Sequence, residues 1–396
     1  MTKPVSPDDA LAHAHRLLDK LPLLDGHNDL PYVIRRDREA KGDVRRYDLA
    51  RRHQQSDTDI PRLKEGRLSA QFWAAFIPTS TSQPARAVLE LIDTIHQLHE
   101  AYPDTFMRAL TSADIGKAKR LGKIASYLAI EGGVGLENSL SPLRVWHAAG
   151  ARLMTLCHNE TLDWVDSATD QPRHGGLTAF GRAVIGELNR LGMMVDLAHV
   201  SQDVMRQVLD ISKAPVVFSH SNARALADHA RNVPDEVLDR IPGNGGIVMA
   251  TFVPDFVSRS SYEWMKPFKD EYGKTRGDVD MARALSEHER QHGRRPRATL
   301  EQLCDHIDYI VKRIGIDHVG IGSDFFGGPT LDGLEDVSRF PHLLAALIRR
   351  GYTDTAIAKI ASRNFLRVFR AVERVGKELK KIEVPRVGRV EDIDAA

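Results

Sequence analysis

Apolar residues along this chain gather in short runs, and most runs are closed by Gly, Pro or a polar side chain. Runs of that kind read as buried strands. Counting them predicts eight strands, at about 21–27, 71–78, 124–131, 151–158, 192–199, 214–220, 245–252 and 318–324. Between most of them the period becomes helical. Residues 85–100 put Val88, Leu91, Ile92, Ile95 and Leu98 on one face. A helix over 179–191 stops before Gly192, which suits a left-handed C-terminal position. Ser201 can cap a helix over 202–212, and Thr299 with Gln302 forms a capping box for a helix that Gly315 ends. Alternating strand and helix imply a parallel sheet. Eight such units imply closure, so the expected fold is α/β, a (β/α)8 TIM-type barrel. An open doubly wound sheet is the rival, but no G-x-G-x-x-G follows the first strand.

Two regions break the repeat. Residues 32–69 and 253–298 read as inserted loops, and both leave the C-terminal ends of strands, where they can wall an active site. Residues 335–349 and 354–375 look helical and should pack outside the barrel. From about residue 382 the chain reads as a loosely held tail. Residues 1–396 are expected to form a single catalytic barrel domain.

Composition narrows the partners. A chain of 396 residues that is 42% hydrophobic can bury a large core. The formal net charge of +1 provides no field for nucleic acid or an anionic membrane. The clusters Arg35, Arg36, Arg38 and Arg294, Arg295, Arg297 lack interleaved aromatics and read as solvated loops. No apolar stretch approaches membrane-spanning length, so no membrane partner is expected. Two cysteines, Cys157 and Cys304, make no disulfide framework, and a cytoplasmic location is expected. Cys157 precedes His158 in a predicted strand, where neighbouring side chains point to opposite faces, so it reads as a buried strand residue.

The polar residues that close the apolar runs carry the candidate chemistry. They are His27 and Asp29 in LLDGHND, Glu131 in SYLAIEGG, His158 in LMTLCHN, His199 in MMVDLAH, His220 in VVFSHS and Asp324 in HVGIGSDF. A barrel brings the C-terminal ends of its strands to one face. Taken singly, each has an ordinary structural reading: a histidine bonded to a carbonyl, or an aspartate capping a turn. Together, His27, Asp29, Glu131, His199 and His220 suffice for two metal ions if Glu131 is shared. His158 can polarise a carbonyl, Asp324 can move protons, and Arg231 in HARNVPDE can hold a carboxylate.

These residues sit in phrases with a known look. DGHNDLP (25–31), QFWAAFIP (71–78), IEGG (130–133), RLMTLCHN (152–159), DLAHVS (196–201), APVVFSHSNAR (214–224), RNVPDE (231–236), GIGSDF (320–325) and GLEDVSRFP (333–341) occur in order. In them the chain resembles the renal-type membrane dipeptidase family, zinc enzymes that cleave dipeptides. The resemblance implies a (β/α)8 barrel with His27 and Asp29 on one zinc, His199 and His220 on the other, and Glu131 bridging. It implies substrate contacts for His158 and Arg231, and proton transfer for Asp324. Tyr32 stands after DLP where the mammalian enzyme has Trp, and it is a candidate substrate contact. Phe326 stands where an acidic residue is familiar. The secretion signal, lipid-anchor signal and disulfide cysteines of the mammalian enzyme are missing, so a soluble, bacterial-type relative is expected.

The resulting expectation is a binuclear zinc dipeptidase in which a metal-bridging hydroxide attacks the peptide bond. Dipeptides are the expected substrates, with acceptance of a C-terminal D-residue open, and a homodimer is expected by resemblance only. Two rivals stand. One is another metal-dependent amidohydrolase on the same cage, such as a lactamase or N-acyl amino acid hydrolase. The other is a non-catalytic metal-binding barrel.

Overall fold

The computed structural model describes residues 6–54, 56–272 and 281–395. One nine-stranded parallel sheet organises it. Its strands are β1 (Leu24–Asn28), β2 (Ala70–Phe76), β3 (Phe106–Arg108), β4 (Ile124–Glu131), β5 (Ala151–Thr155), β6 (Met194–Asp196), β7 (Val217–Phe218), β8 (Ile247–Ala250) and β9 (Val319–Ile321). The order is β1-β2-β4-β5-β6-β7-β8-β9, with β3 paired to the start of β4. The ring closes through a parallel bridge between Asn28 and Phe325. There Asp29 N–H donates to the Phe325 carbonyl at 3.1 Å, and Asp324 N–H donates to the His27 carbonyl at 3.2 Å. The eight strands of the main path therefore form the expected barrel, and each coincides with a predicted apolar run. The ninth, β3, is three residues long, too short to register as a period.

Helices occupy the predicted intervals, including Pro84–Ala101, Ala179–Leu191, Gln202–Ile211 and Leu300–Ile314. Their ends follow local chemistry. The Ser201 hydroxyl accepts from Val204 N–H at 3.3 Å, and Thr299 and Gln302 form the reciprocal box. Gly192 takes φ +72° after its helix, a conformation open to glycine without a Cβ penalty.

Alternation along β4 divides the core into two layers. Ala125, Tyr127 and Ala129 join an inner cluster with Leu24, Phe72, Leu153, Met194, Val217 and Met249. Ile124, Leu128 and Ile130 join the outer cluster beneath the helices. The helix Asn364–Ile382 contributes Phe365 and Phe369 to the inner cluster, where Phe365 meets Phe72 edge-on at 5.2 Å. The same alternation points Glu131, the last residue of β4, inward at the opposite end.

The inserted regions are more ordered than their composition suggests. Residues 32–69 hold the helices Val44–Tyr47 and Ile60–Glu65 and most of Leu30–Arg36. The Asp43 and Asp59 side chains cap two of them, and helices this short cannot display a period. Residues 253–298 hold Pro254–Val257, Arg259–Tyr272 and Met281–His292, while 273–280 lie outside the described residues. The tail is pinned: Leu140 N–H donates to the Gly388 carbonyl, and Phe180 N–H to Asp394 Oδ1 at 2.6 Å. Val390 and Ile393 also pack against the core, but the helix Val390–Ile393 is too short to display a period.

Candidate active site

The site assembles around Glu131, which is 3% exposed. Its Oε2 lies 3.3 Å from His27 Nε2. Its Oε1 lies 3.2 Å from His199 Nε2 and 3.7 Å from His220 Nε2. His27 Nε2 is also 3.6 Å from Asp29 Oδ1 and 3.9 Å from Asp324 Oδ1. Thus one oxygen of the carboxylate faces His27, and the other faces His199 and His220.

Local backbone makes this convergence. The β1–β2 register shifts between Asp25 and Asn28, and His27 lies inside that irregularity. Asp29 is one residue past β1 and sits at the N-terminus of the helix Leu30–Arg36, so the expected strand pair is really a strand residue and a turn residue. His199 and Asp324 follow β6 and β9 with φ of +71° and +63°. Non-glycine residues seldom adopt that region, and such strain gathers at functional positions. Gly327 leaves the room that the Asp324 carboxylate fills, because a Cβ there would collide with it.

Among the described residues, several polar atoms here are buried without a hydrogen-bond partner: His27 Nδ1 and Nε2, Asp29 Oδ1, His199 Nδ1 and His220 Nε2. Buried polar atoms are normally satisfied, so a convergent set of orphans calls for a missing partner. Imidazole nitrogens and carboxylate oxygens are the donors that Zn²⁺ and related ions take. Among the described residues, three sets each bring ligand atoms within 4.8 Å of one another: His27, Glu131 and His220; Glu131, His158 and His199; and His27, Asp29 and Asp324. The residues present therefore fit divalent metal.

Charge is unevenly distributed over the cluster. Burial depresses the His27 imidazolium, but Glu131 and Asp29 outweigh it and hold the group well above its usual range. His199 and His220 lie well below theirs, through burial and then the nearby cations, Arg231 among them. Burial and Arg231 push His158 down to about 3. Burial raises Glu131, and it raises Asp324 to about 8 with help from Asp29 and Glu131.

Arg231 is 1% exposed. Among the described residues its guanidinium makes only long bonds, 3.5 Å to the Ser221 hydroxyl and 3.4 Å to the His220 carbonyl, and its Nε has no partner. A buried cation so thinly satisfied is primed for an anion. His158 packs its ring 4.4 Å from Phe76 and 4.2 Å from His199, and Tyr32 meets Phe76 edge-on at 5.0 Å. Cys157 is buried and its thiol is raised far above the usual range, first by desolvation, which suits a packed residue rather than a nucleophile.

Of the nine predicted residues, seven make up the three convergent ligand sets, Arg231 lies against the His220 backbone, and Tyr32 flanks Phe76. Sequence reasoning missed Phe76 and Phe256. The Phe256 ring lies 5.2 Å from the Arg231 guanidinium carbon, and it comes from the inserted region that carried no recognisable phrase. A separate cavity of about 650 Å³ opens nearby, lined by Gly133, Val134, Glu160 and Trp164 among others, but none of the predicted residues lines it.

Comparison with known proteins supplies the decisive observation. A model of the membrane dipeptidase family, peptidase family M19, matches residues 11–383. The chain belongs to this family. It is similar to the dipeptidase verJ of Clonostachys rogersoniana, 37% identical over 94% of this chain and 90% of that protein. Among solved structures it is similar to the probable dipeptidase PvdM of Pseudomonas aeruginosa, with a TM-score of 0.82 and 27% identity over 93% of this chain and all of that one. It is also similar to dipeptidase AC, a metallo peptidase of family M19, with a TM-score of 0.73 and 25% identity over 89% of this chain and 98% of that one. The chain is therefore a peptide hydrolase of a metallopeptidase family that acts on dipeptides. Among the described residues, no helix is long and apolar enough to cross a membrane.

Proposed function

We propose that this chain is a binuclear zinc dipeptidase. One observation carries the reading: the two oxygens of Glu131 face different imidazoles, 3.3 Å from His27 and 3.2 Å from His199. His27 and Asp29 would hold one ion, His199 and His220 the other, and Glu131 would bridge. Bound Zn²⁺ would lower the pKa of water and polarise the scissile carbonyl.

The chain's own groups do the rest. Arg231 binds the free carboxylate of the substrate through its fork of donors, and Phe256 backs the guanidinium plane. A carboxylate fixed there limits cleavage to short peptides. His158, neutral at working pH, donates from its ring to the oxygen on which charge develops. Asp324, in the carboxylate form that bound cations would favour, takes the proton from the attacking water and delivers it to the leaving amine. Tyr32 and Phe76 form the wall beside His158. The buried free thiols of Cys157 and Cys304 suit a reducing location such as the cytoplasm.

Metal content and hydrolysis of a dipeptide panel, including D-configured second residues, test the proposal on one preparation. The expected result is two Zn²⁺ per chain and release of both amino acids. A metal-free preparation that is fully active, or ready cleavage of long peptides at internal bonds, would overturn it.

A further inference from the structure

Behind His220 lies a hydrogen-bond chain whose protons can be counted. Asp196, the last residue of β6, is fully buried. Its Oδ1 accepts from Ala198 N–H at 3.1 Å and Ser219 N–H at 2.8 Å. Its Oδ2 accepts from the hydroxyls of Thr155 at 2.5 Å and Ser219 at 2.6 Å. Four donors on two oxygens fill the acceptor positions of a carboxylate. The Ser219 hydroxyl has one proton, and that proton is committed to Asp196. Yet Ser219 Oγ also lies 2.8 Å from His220 Nδ1, so in that contact it must accept. The His220 proton is then on Nδ1. Nε2 keeps its lone pair, and Nε2 is the buried atom that faces Glu131 at 3.7 Å and has no hydrogen-bond partner among the described residues.

We infer that Asp196, acting through Ser219, is a positioning residue that sets the tautomer and ring orientation of His220, so that its Nε2 is presented as a metal donor. The relay ties three neighbouring strands together beneath the site: Thr155 ends β5, Asp196 ends β6, and Ser219 follows β7. An outer carboxylate that orients a ligating imidazole typically matters by roughly 10–100-fold in metal affinity. The consequence for metal capture rests on the proposed function, whereas the tautomer itself does not.

Asp196→Asn is the sharp test. An amide donor at the Oδ2 position would donate to Ser219, turn the hydroxyl proton towards His220 Nδ1, and force the imidazole proton onto Nε2. Histidine-selective ¹⁵N NMR of the metal-free protein, with His220 assigned by its loss in His220→Asn, reads this directly. The expected spectra show Nδ1–H in the parent chain and Nε2–H in Asp196→Asn. Zn²⁺ titration against a competing chelator should then show one ion weakened roughly 10–100-fold and the other held. Should Asp196→Asn fail to fold, Ser219→Ala and Ser219→Thr replace it: alanine should weaken the same ion, and threonine, which restores a hydroxyl, should rescue it. An Nε2–H signal in the parent, or equal Zn²⁺ affinity in the alanine and threonine variants, overturns the relay. A parent chain that shows Nδ1–H but takes up no Zn²⁺ would instead refute the dipeptidase reading and leave the relay standing.

Discussion

The two sides of Glu131 are built from different materials. On the Oε2 side stand His27, Asp29 and Asp324, drawn from the β1 and β9 ends, a single imidazole among carboxylates. On the Oε1 side stand His199 and His220, with His158 packed against His199, an imidazole group near the Arg231 cation. The first side holds its histidine by charge, since Glu131 and Asp29 outweigh the desolvation of His27. The second positions a histidine by hydrogen bonds, through Ser219 and Asp196, while burial keeps the rings neutral. His27 has no such anchor, as both its ring nitrogens lack hydrogen-bond partners among the described residues. If Glu131 bridges two ions as proposed, it would join a hard, anionic half-site to a softer, nitrogen-rich one, and such half-sites differ in ion preference and in how firmly they hold their donors.

The comparison is most severely tested at the shared residue. Glu131→Ala should abolish activity and lower the occupancy of both ions, whereas His27→Ala should weaken mainly one. Elemental analysis of the two variants checks this, and normal occupancy of both sites in Glu131→Ala would show that the halves are not joined there. Next in size is the proton-transfer role proposed for the anionic side. Asp324→Asn should lower kcat by roughly 10²–10⁴-fold with metal retained. Loss of metal instead would make Asp324 a ligand, which its 3.9 Å approach to His27 Nε2 allows geometrically.

A smaller effect belongs to the nitrogen-rich side. Arg231→Lys keeps the charge but loses the fork, and should lower kcat/KM for free dipeptides by roughly 10–100-fold. Dipeptide amides, already poor substrates, should lose much less. Equal losses for acid and amide would assign Arg231 to structure. Least of all, Phe256→Leu removes the ring beside the guanidinium and should raise KM by roughly 2–10-fold with kcat little changed. An unchanged KM would detach the inserted region from substrate binding.

Legibility followed the same division. Glu131, His199, His220 and Asp324 could be singled out because each ends or closely follows an apolar run, where a charged or ring side chain needs a reason. The barrel was legible because eight runs alternate with helical intervals. β3 was not, because Phe106–Arg108 is too short for a period. Asp196 and Ser219 stand in the same phrases as His199 and His220, and a buried carboxylate inside MMVDLAH was a signal that could have been used. Phe256 offered none, since its role depends on the inserted region folding back over Arg231.

What the sequence determined by itself is periodicity and donor chemistry: which segments are strands, and which side chains can bind metal, carry protons or hold a carboxylate. Those properties are local, set by a side chain and its near neighbours along the chain. Only the tertiary structure decided which oxygen of Glu131 meets which imidazole, which nitrogen of His220 faces the Ser219 hydroxyl, and how charge differs between the two sides of Glu131. The first and the last depend on groups far apart in sequence brought within a few ångströms, as where Asp324 N–H meets the His27 carbonyl and closes the barrel. At that range the strengths of burial, charge and hydrogen bonding are set by geometry, which the order of residues alone does not contain.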